Sequence, residues 1–222
     1  MANTSIKSVD GPVVIGKNMS DLKIREMVLV GEKKLIGEVI SIDGDLGTIQ
    51  VYEETEGLKR DEEIIPTGAP LSVKLGPGMI TNIFDGIQRP LEKIKETHGS
   101  FMPEGIGLIS LDEEKLWDVT FTVKVGDKLN AGEIFGTVPE TPVITHKLIV
   151  PPDVNGEVIE KVDDGKYNIE TVLLKLRDEN GKINELKMYH NWPVRIPRPV
   201  NERLPIDRLL VTGQRVFAVS YT

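Results

Sequence analysis

The sequence has 222 residues, 39% hydrophobic and 28% charged, with a net charge of −8 and no cysteine. That length holds one large domain or two to three small ones. Basic residues are interleaved with acids, as in Glu92-Lys93-Ile94-Lys95-Glu96, which argues against a phosphate-neutralising nucleic-acid surface, and the lack of cysteine excludes disulfides, cysteine zinc sites and thiol nucleophiles.

No basic, apolar leader pattern opens the sequence, and no apolar run nears the roughly 20 residues of a membrane span, so any membrane role is expected to be peripheral. Twenty-one glycines and fourteen prolines punctuate the chain, which favours short strands over long helices. The first predicted strands are Ile6–Val9 and Val13–Ile15, separated by the turn Asp10-Gly11-Pro12. Met27–Val30 follows, then the turn Gly31–Lys34, then Leu35–Ile42 and Leu46–Tyr52. Asp43-Gly44 joins the last two as a tight hairpin, because Gly tolerates positive φ. Alternation along Leu35–Ile42 sets Val39 and Ser41 on one face and Glu38, Ile40 and Ile42 on the other. Strands at this spacing predict a small closed barrel, which removes unpaired edges.

The acid-rich tract Glu53–Glu63 reads as a solvated loop. Leu71–Val73 precedes the turn Gly76-Pro77-Gly78, a domain boundary. Gln88–Glu96 is the one predicted helix, with Pro90 at its first position and Leu91 and Ile94 on one face. From Phe121 to Leu176 the pattern is again β: Val123–Val125, Ile134-Phe135, Val143-Ile144, Leu148–Val150, Glu157–Ile159 and Thr171–Leu176. Arg177–Lys182 reads as a polar hairpin tip and Tyr189–Pro205 as an extended, proline-rich connector.

A search for chemistry finds no Gly-x-x-x-x-Gly-Lys-Ser/Thr phosphate loop. Gly31 to Glu38 has the wrong spacing and reads as a hairpin turn; Gly105-Ile106-Gly107 lacks the third glycine of a dinucleotide fingerprint. His98, His146 and His190 stand far apart in sequence, none with a carboxylate or second His at ligand spacing. Asp43-Gly44-Asp45 and Asp163-Asp164-Gly165 fail the calcium-loop pattern. The residues therefore nominate no catalytic, cofactor-binding or metal-binding position.

Four stretches carry a resemblance. They are Asp10–Val14; Gly37–Ile40 continuing through Ile49–Leu58; Thr67-Gly68 with Pro70–Val73, Leu75–Gly78 and Asp85-Gly86-Ile87-Gln88-Arg89-Pro90-Leu91; and Glu185–Tyr189 with Trp192–Arg195, followed by Thr212-Gly213-Gln214-Arg215-Val216. In this order they resemble the N-terminal part of the catalytic A subunit of V-type and archaeal-type rotary ATPases, from about residue 6 to 216. The resemblance implies a mainly β fold: an N-terminal small β-barrel (1–73), a connector with a short helix (74–113), an inserted bulge domain of barrel-sandwich type (114–186), and a connector with the truncated start of a nucleotide-binding domain (187–222).

It also implies B subunits alternating with A in a hexameric ring, central and peripheral stalk subunits, and a place on the cytoplasmic face of the membrane. Mg-ATP or Mg-ADP would belong to the full-length parent, which couples ATP synthesis or hydrolysis to proton or sodium transport; this stretch supplies no phosphate loop, and is expected not to hydrolyse ATP alone. The sequence departs from the family at Asp61, where a turn glycine is common, and at Phe217–Thr222. Leu209–Val211 and Val216–Val219 are β-prone runs, and the tail is expected to pair within the insertion or to mediate self-association. Two other readings stand beside this one. The chain could be a non-catalytic interaction scaffold. It could also be a biotinyl/lipoyl-like carrier, echoed by Val125–Leu129, Ala131–Ile134 and Val150-Pro151-Pro152 with Gly156–Val158. The corresponding hairpin, Glu140–Ile144, carries no lysine, and Lys147 lies too close to the following prolines.

Overall fold

A computed structural model describes residues 3–80, 82–99, 104–105, 110–200, 203, 205 and 207. Ile106-Gly107, Leu209–Val211, the Thr212–Val216 motif and the tail 217–222 lie outside the described residues.

The first six strands are β1 (Ser5–Asp10), β2 (Val13–Lys17), β3 (Glu26–Val30), β4 (Leu35–Asp43), β5 (Leu46–Val51) and β6 (Ile64–Pro70). They form an antiparallel sheet of order β1-β2-β5-β4-β3-β6. The two ends of that order meet: the Ile6 N–H donates to Glu62 O and the Ile64 N–H to Thr4 O, both at 2.9 Å. The sheet is thereby a closed barrel, as the strand spacing predicts. Its core gathers Ile6, Val14, Val28, Val39, Ile49 and Ile64, each 0–1% exposed. Met19 plugs one end. A Cβ at Gly16 would stand 2.2 Å from Met19 Sδ and one at Gly47 would stand 2.7 Å from it, so both strands need glycine where the thioether enters.

The strict alternation expected of β4 fails at one residue. Pairing runs Val39↔Ile49 and then Ser41↔Thr48, so Ile40 is a bulge. An inserted residue reverses the side-chain parity beyond it. Val39 and Ile42 therefore both turn to the core while Ile40 stays 45% exposed. β6 falls among prolines that hide it from pattern reading; Pro66 and Pro70 pair with Val28 and Glu26 across from β3.

After the barrel come β7 (Ser72–Leu75) and the helix α1 (Leu91–His98). Pro90 caps the helix from outside rather than opening it, with φ −74° and ψ 109°. The remaining strands are β8 (Trp117–Phe121), β9 (Lys128–Leu129), β10 (Ile134–Pro139), β11 (Thr145–Ile149), β12 (Gly156–Lys161), β13 (Gly165–Tyr167), β14 (Leu174–Arg177), β15 (Ile183–Leu186) and β16 (His190–Pro193). Two four-stranded sheets result, β11-β10-β8-β13 and β15-β14-β12-β9. They enclose a second core containing Trp117, Val119, Phe135, Val138, Leu148 and Leu176. The chain is thus mainly β, with two β modules.

Three local expectations need correction. Val123–Val125 and Val143-Ile144 are turns rather than strands, and Val143 is 89% exposed at its tip. The stretch from Tyr189 is not wholly extended connector: β16 pairs with β7, Trp192 opposite Val73. The polar tip is as expected, with Asp178 Oδ1 accepting the Asn180 and Lys182 N–H groups at 2.9 and 2.8 Å.

Candidate functional site: a charged junction

The motif residues converge where the barrel's outer face meets its connectors. Asp85 starts a tight turn: its Oδ1 accepts the N–H groups of Ile87 (3.1 Å) and Arg89 (2.8 Å), and its Oδ2 accepts Arg89 Nε at 2.6 Å. Gln88 holds the left-handed conformation, φ +63°. Its amide bonds Lys74 twice, accepting from the backbone N–H at 2.8 Å and donating to the carbonyl at 2.7 Å. Ile87 packs with Ile36 and Leu71 on the barrel's outside.

Arg89 then crosses to the barrel, where Nη1 donates to Glu53 Oε2 at 3.0 Å. Glu53 also accepts the N–H groups of Gly105 (3.0 Å) and Ile36 (3.2 Å). The solvated-loop reading of residues 53–63 therefore fails at Glu53, whose side chain is 4% exposed. It fails again at Leu58, packed against the barrel core. The other residues of that tract are mostly exposed. Gly105 sits so close to the β3–β4 turn that a Cβ would lie 1.9 Å from Lys33 O. Beside it Lys33 Nζ pairs with Glu104.

A second bridge lies on the other side of β4. Arg195 donates to Glu38 through Nε (2.9 Å) and Nη2 (2.7 Å), and the Tyr52 hydroxyl donates to the same carboxylate. Burial raises the Glu38 carboxyl, but the hydrogen bonds from Arg195 and Tyr52 outweigh it and hold the group below the ordinary range. Asp85 behaves alike: burial pushes it up, and donation from Arg89 and Ile87 brings it down further. A cleft of about 210 Å³ opens beside Arg195, lined by Ile24, Pro70, Leu71 and Ile196. The Glu26 carboxylate at its wall is occupied by the N–H groups of Lys23 (3.0 Å) and Gly68 (2.8 Å).

These are holding contacts. Each of these carboxylates is matched by fixed donors, which orients backbone segments. Among the described residues no cluster of three or more His, Asp or Glu side chains could ligate a metal ion. Gly31–Glu38 is the β3–β4 hairpin, as its spacing suggested. Asp61 takes φ +68°, the conformation a glycine would adopt there, and pairs with Lys17 at 2.6 Å.

The histidines are not all isolated. His98 sits at the end of α1 beside Thr97. His146 Nδ1 lies 3.4 Å from Glu140, and His146 acts electrostatically on His190. Sequence spacing hid this, because strand pairing brings the groups together. Glu140 also explains the hairpin where a carrier domain would bear its cofactor. It carries no lysine, and one oxygen of Glu140 accepts the Gly78 and Ile80 N–H groups at 2.8 and 3.1 Å.

Comparison with known proteins agrees with this architecture. Residues 6–68 match the ATP synthase alpha/beta family beta-barrel domain, and residues 108–195 match the ATP synthase alpha/beta subunit barrel-sandwich domain. The two matches define the class: paired β modules of the ATP synthase alpha/beta family. The V-type ATP synthase alpha chain 2 of Clostridium tetani is 57% identical over 213 residues, covering 96% of this chain and 36% of that protein. The A subunit of the A-type ATP synthase of Pyrococcus abyssi is 50% identical over 98% of the chain and 21% of its own length. The catalytic A subunit of the V-type proton ATPase of Cyanidium caldarium is 49% identical, over 98% and 37% respectively. The chain belongs to the family of V-type and A-type ATP synthase A subunits, and it spans about a third of the length of most of these relatives.

Proposed function

We propose that these residues are the barrel and bulge modules of a catalytic A subunit, whose whole polypeptide couples ATP synthesis or hydrolysis to proton or sodium translocation. The junction is the observation that supports this best. Asp85, Gln88, Arg89 and Arg195, which lie in the motifs that carry the resemblance, are the residues that lock barrel, connector and exit strand together.

In this reading the barrel (1–73) contributes to a ring of alternating A and B subunits, the insertion (114–186) is the bulge, and 74–113 and 187–222 lead into the nucleotide-binding part. Stalk subunits complete the assembly, peripheral on the cytoplasmic membrane face; no helix of the described residues is long and apolar enough to cross a membrane. Phosphoryl transfer needs fixed positive charge and magnesium around the γ-phosphate. The sequence contains no phosphate loop, so Mg-ATP is handled by other parts of the full-length polypeptide and this chain alone does not turn it over.

A chimera tests the proposal: residues 6–200 replace the matching segment of the Clostridium tetani relative, and the purified complex is assayed for subunit content and ATP hydrolysis. The proposal expects an assembled, ATP-hydrolysing complex. A folded chimera that fails to join its B subunits would overturn it.

A further inference from the structure

β7 carries the chain out of the barrel toward the sandwich and β16 returns from it, so this antiparallel pair is the sandwich's neck. Two contacts brace it. After β7, one oxygen of Glu140 holds the Gly78 and Ile80 N–H groups from the β10–β11 turn. Its side chain is fully buried, and Oε2 has no hydrogen-bond partner; His146 Nδ1 stands 3.4 Å away. On β16, His190 lies opposite Leu75, and its Nε2 is 2.8 Å from Arg198 Nη1. A guanidinium can only donate, so His190 must accept, which requires a neutral ring with its proton on Nδ1.

We propose that the neck is a proton-operated latch, closed while His190 is neutral and released when it is protonated. A protonated His190 has no lone pair for Arg198 and would set two cations at hydrogen-bond distance. The charged groups facing His190 are Arg198 from beyond β16, Asp153 from the loop after β11 and His146 from β11, and the group facing His146 is Glu140 from the β10–β11 turn.

Burial, then the charge of Arg198, pushes His190 down from 6.5 to about 4, with Asp153 opposing weakly. Burial also lowers His146, outweighing the attraction of Glu140. An opened neck exposes both rings to water, so the open form binds more protons below the ordinary histidine range. Closure is therefore fully favoured above about pH 6.5 and weakens as pH falls toward 4. The neighbouring brace does not share this dependence. Lys74 and Lys187 on Glu170 are held in their charged forms, the lysines raised and the carboxyl lowered.

The test is amide hydrogen exchange on the full chain, corrected for intrinsic rates, at about pH 7 and about pH 5. Protection at Gly78, Ile80 and Val194 is expected to fall roughly tenfold on acidification, the change that one pKa unit produces. Barrel amides such as Val39 and Ile49 should hold. The double variant His146→Gln, His190→Gln keeps acceptors at both places without titrating in this range, and should keep neck protection at both pH values. Equal protection in the wild type at both pH values, an equal loss in the barrel, or an undiminished fall in the double variant would each overturn the latch.

Discussion

Arg89 joins the connector turn to the barrel through charges that water barely reaches: its side chain is 10% exposed, that of Glu53 4% and that of Asp85 18%. Removing one partner from such a set strands the others, which costs more than the pair itself contributes. Arg89→Ala is expected to destabilise the chain by about 3 kcal/mol in urea titration. Arg89→Lys should recover little of this, because an ammonium cannot span Asp85 and Glu53 with a fixed fork. Gly105→Ala should disrupt the same corner, since the added carbon meets a backbone carbonyl that cannot swing aside. Loss of protection at the Gly105 and Ile36 amides would report it. The carboxyls of Glu38 and Asp85 are both held below their ordinary values. The stability they lend is complete above the unfolded carboxylate range, near about pH 4, and disappears as pH drops through the folded values. These contacts left little trace in the sequence. Glu53 sits in an acidic run whose other members are mostly solvated, and Glu38 meets Arg195 across 157 positions. Only the Asp85–Arg89 spacing was local enough to notice.

At the scale of elements, the barrel depends on Met19 reaching between two glycine-bearing strands. Met19→Ala leaves a cavity that those strands cannot collapse into, and a loss of about 2–5 kcal/mol is expected from thermal or urea unfolding. The strands around it were legible because each alternates or ends in a recognisable turn: the turns at Gly11-Pro12 and Gly44-Asp45 fix the β1–β2 and β4–β5 hairpins. β6 was not, since prolines in a strand usually argue against one and are tolerated here where pairing leaves their missing donor unneeded. Val143-Ile144 misled in the opposite direction. Apolar, β-branched residues at a turn look like a strand, and only the pairing of Pro139 with Thr145 shows the chain reversing there. The bulge at Ile40 is a third case, because one extra residue leaves composition unchanged while reversing which side chains face inward. Between elements, the depressed histidines set an acid limit of their own. His190, near 4 when folded against 6.5 when free, should cost about 1–2 kcal/mol by pH 4 after discounting its partial exposure. Circular dichroism melts across that range should show it, and His190→Gln should flatten the slope.

At the scale of the whole molecule, both modules are organised around holding orientation. Arg89 ties the connector turn to Glu53 of the barrel and Arg195 ties the chain after β16 to Glu38, while the sandwich is inserted on a two-stranded neck braced by Glu140 and by the Lys74–Glu170–Lys187 set. Such rigidity suits a part that positions other domains and subunits. The most direct test of the proposed ring role is sedimentation of this chain mixed with a B-type ATP synthase subunit. Co-sedimentation in a defined ratio, abolished by Arg89→Ala together with barrel integrity, is the predicted result. A folded chain that stays separate from the B subunit at every concentration tested would contradict the account.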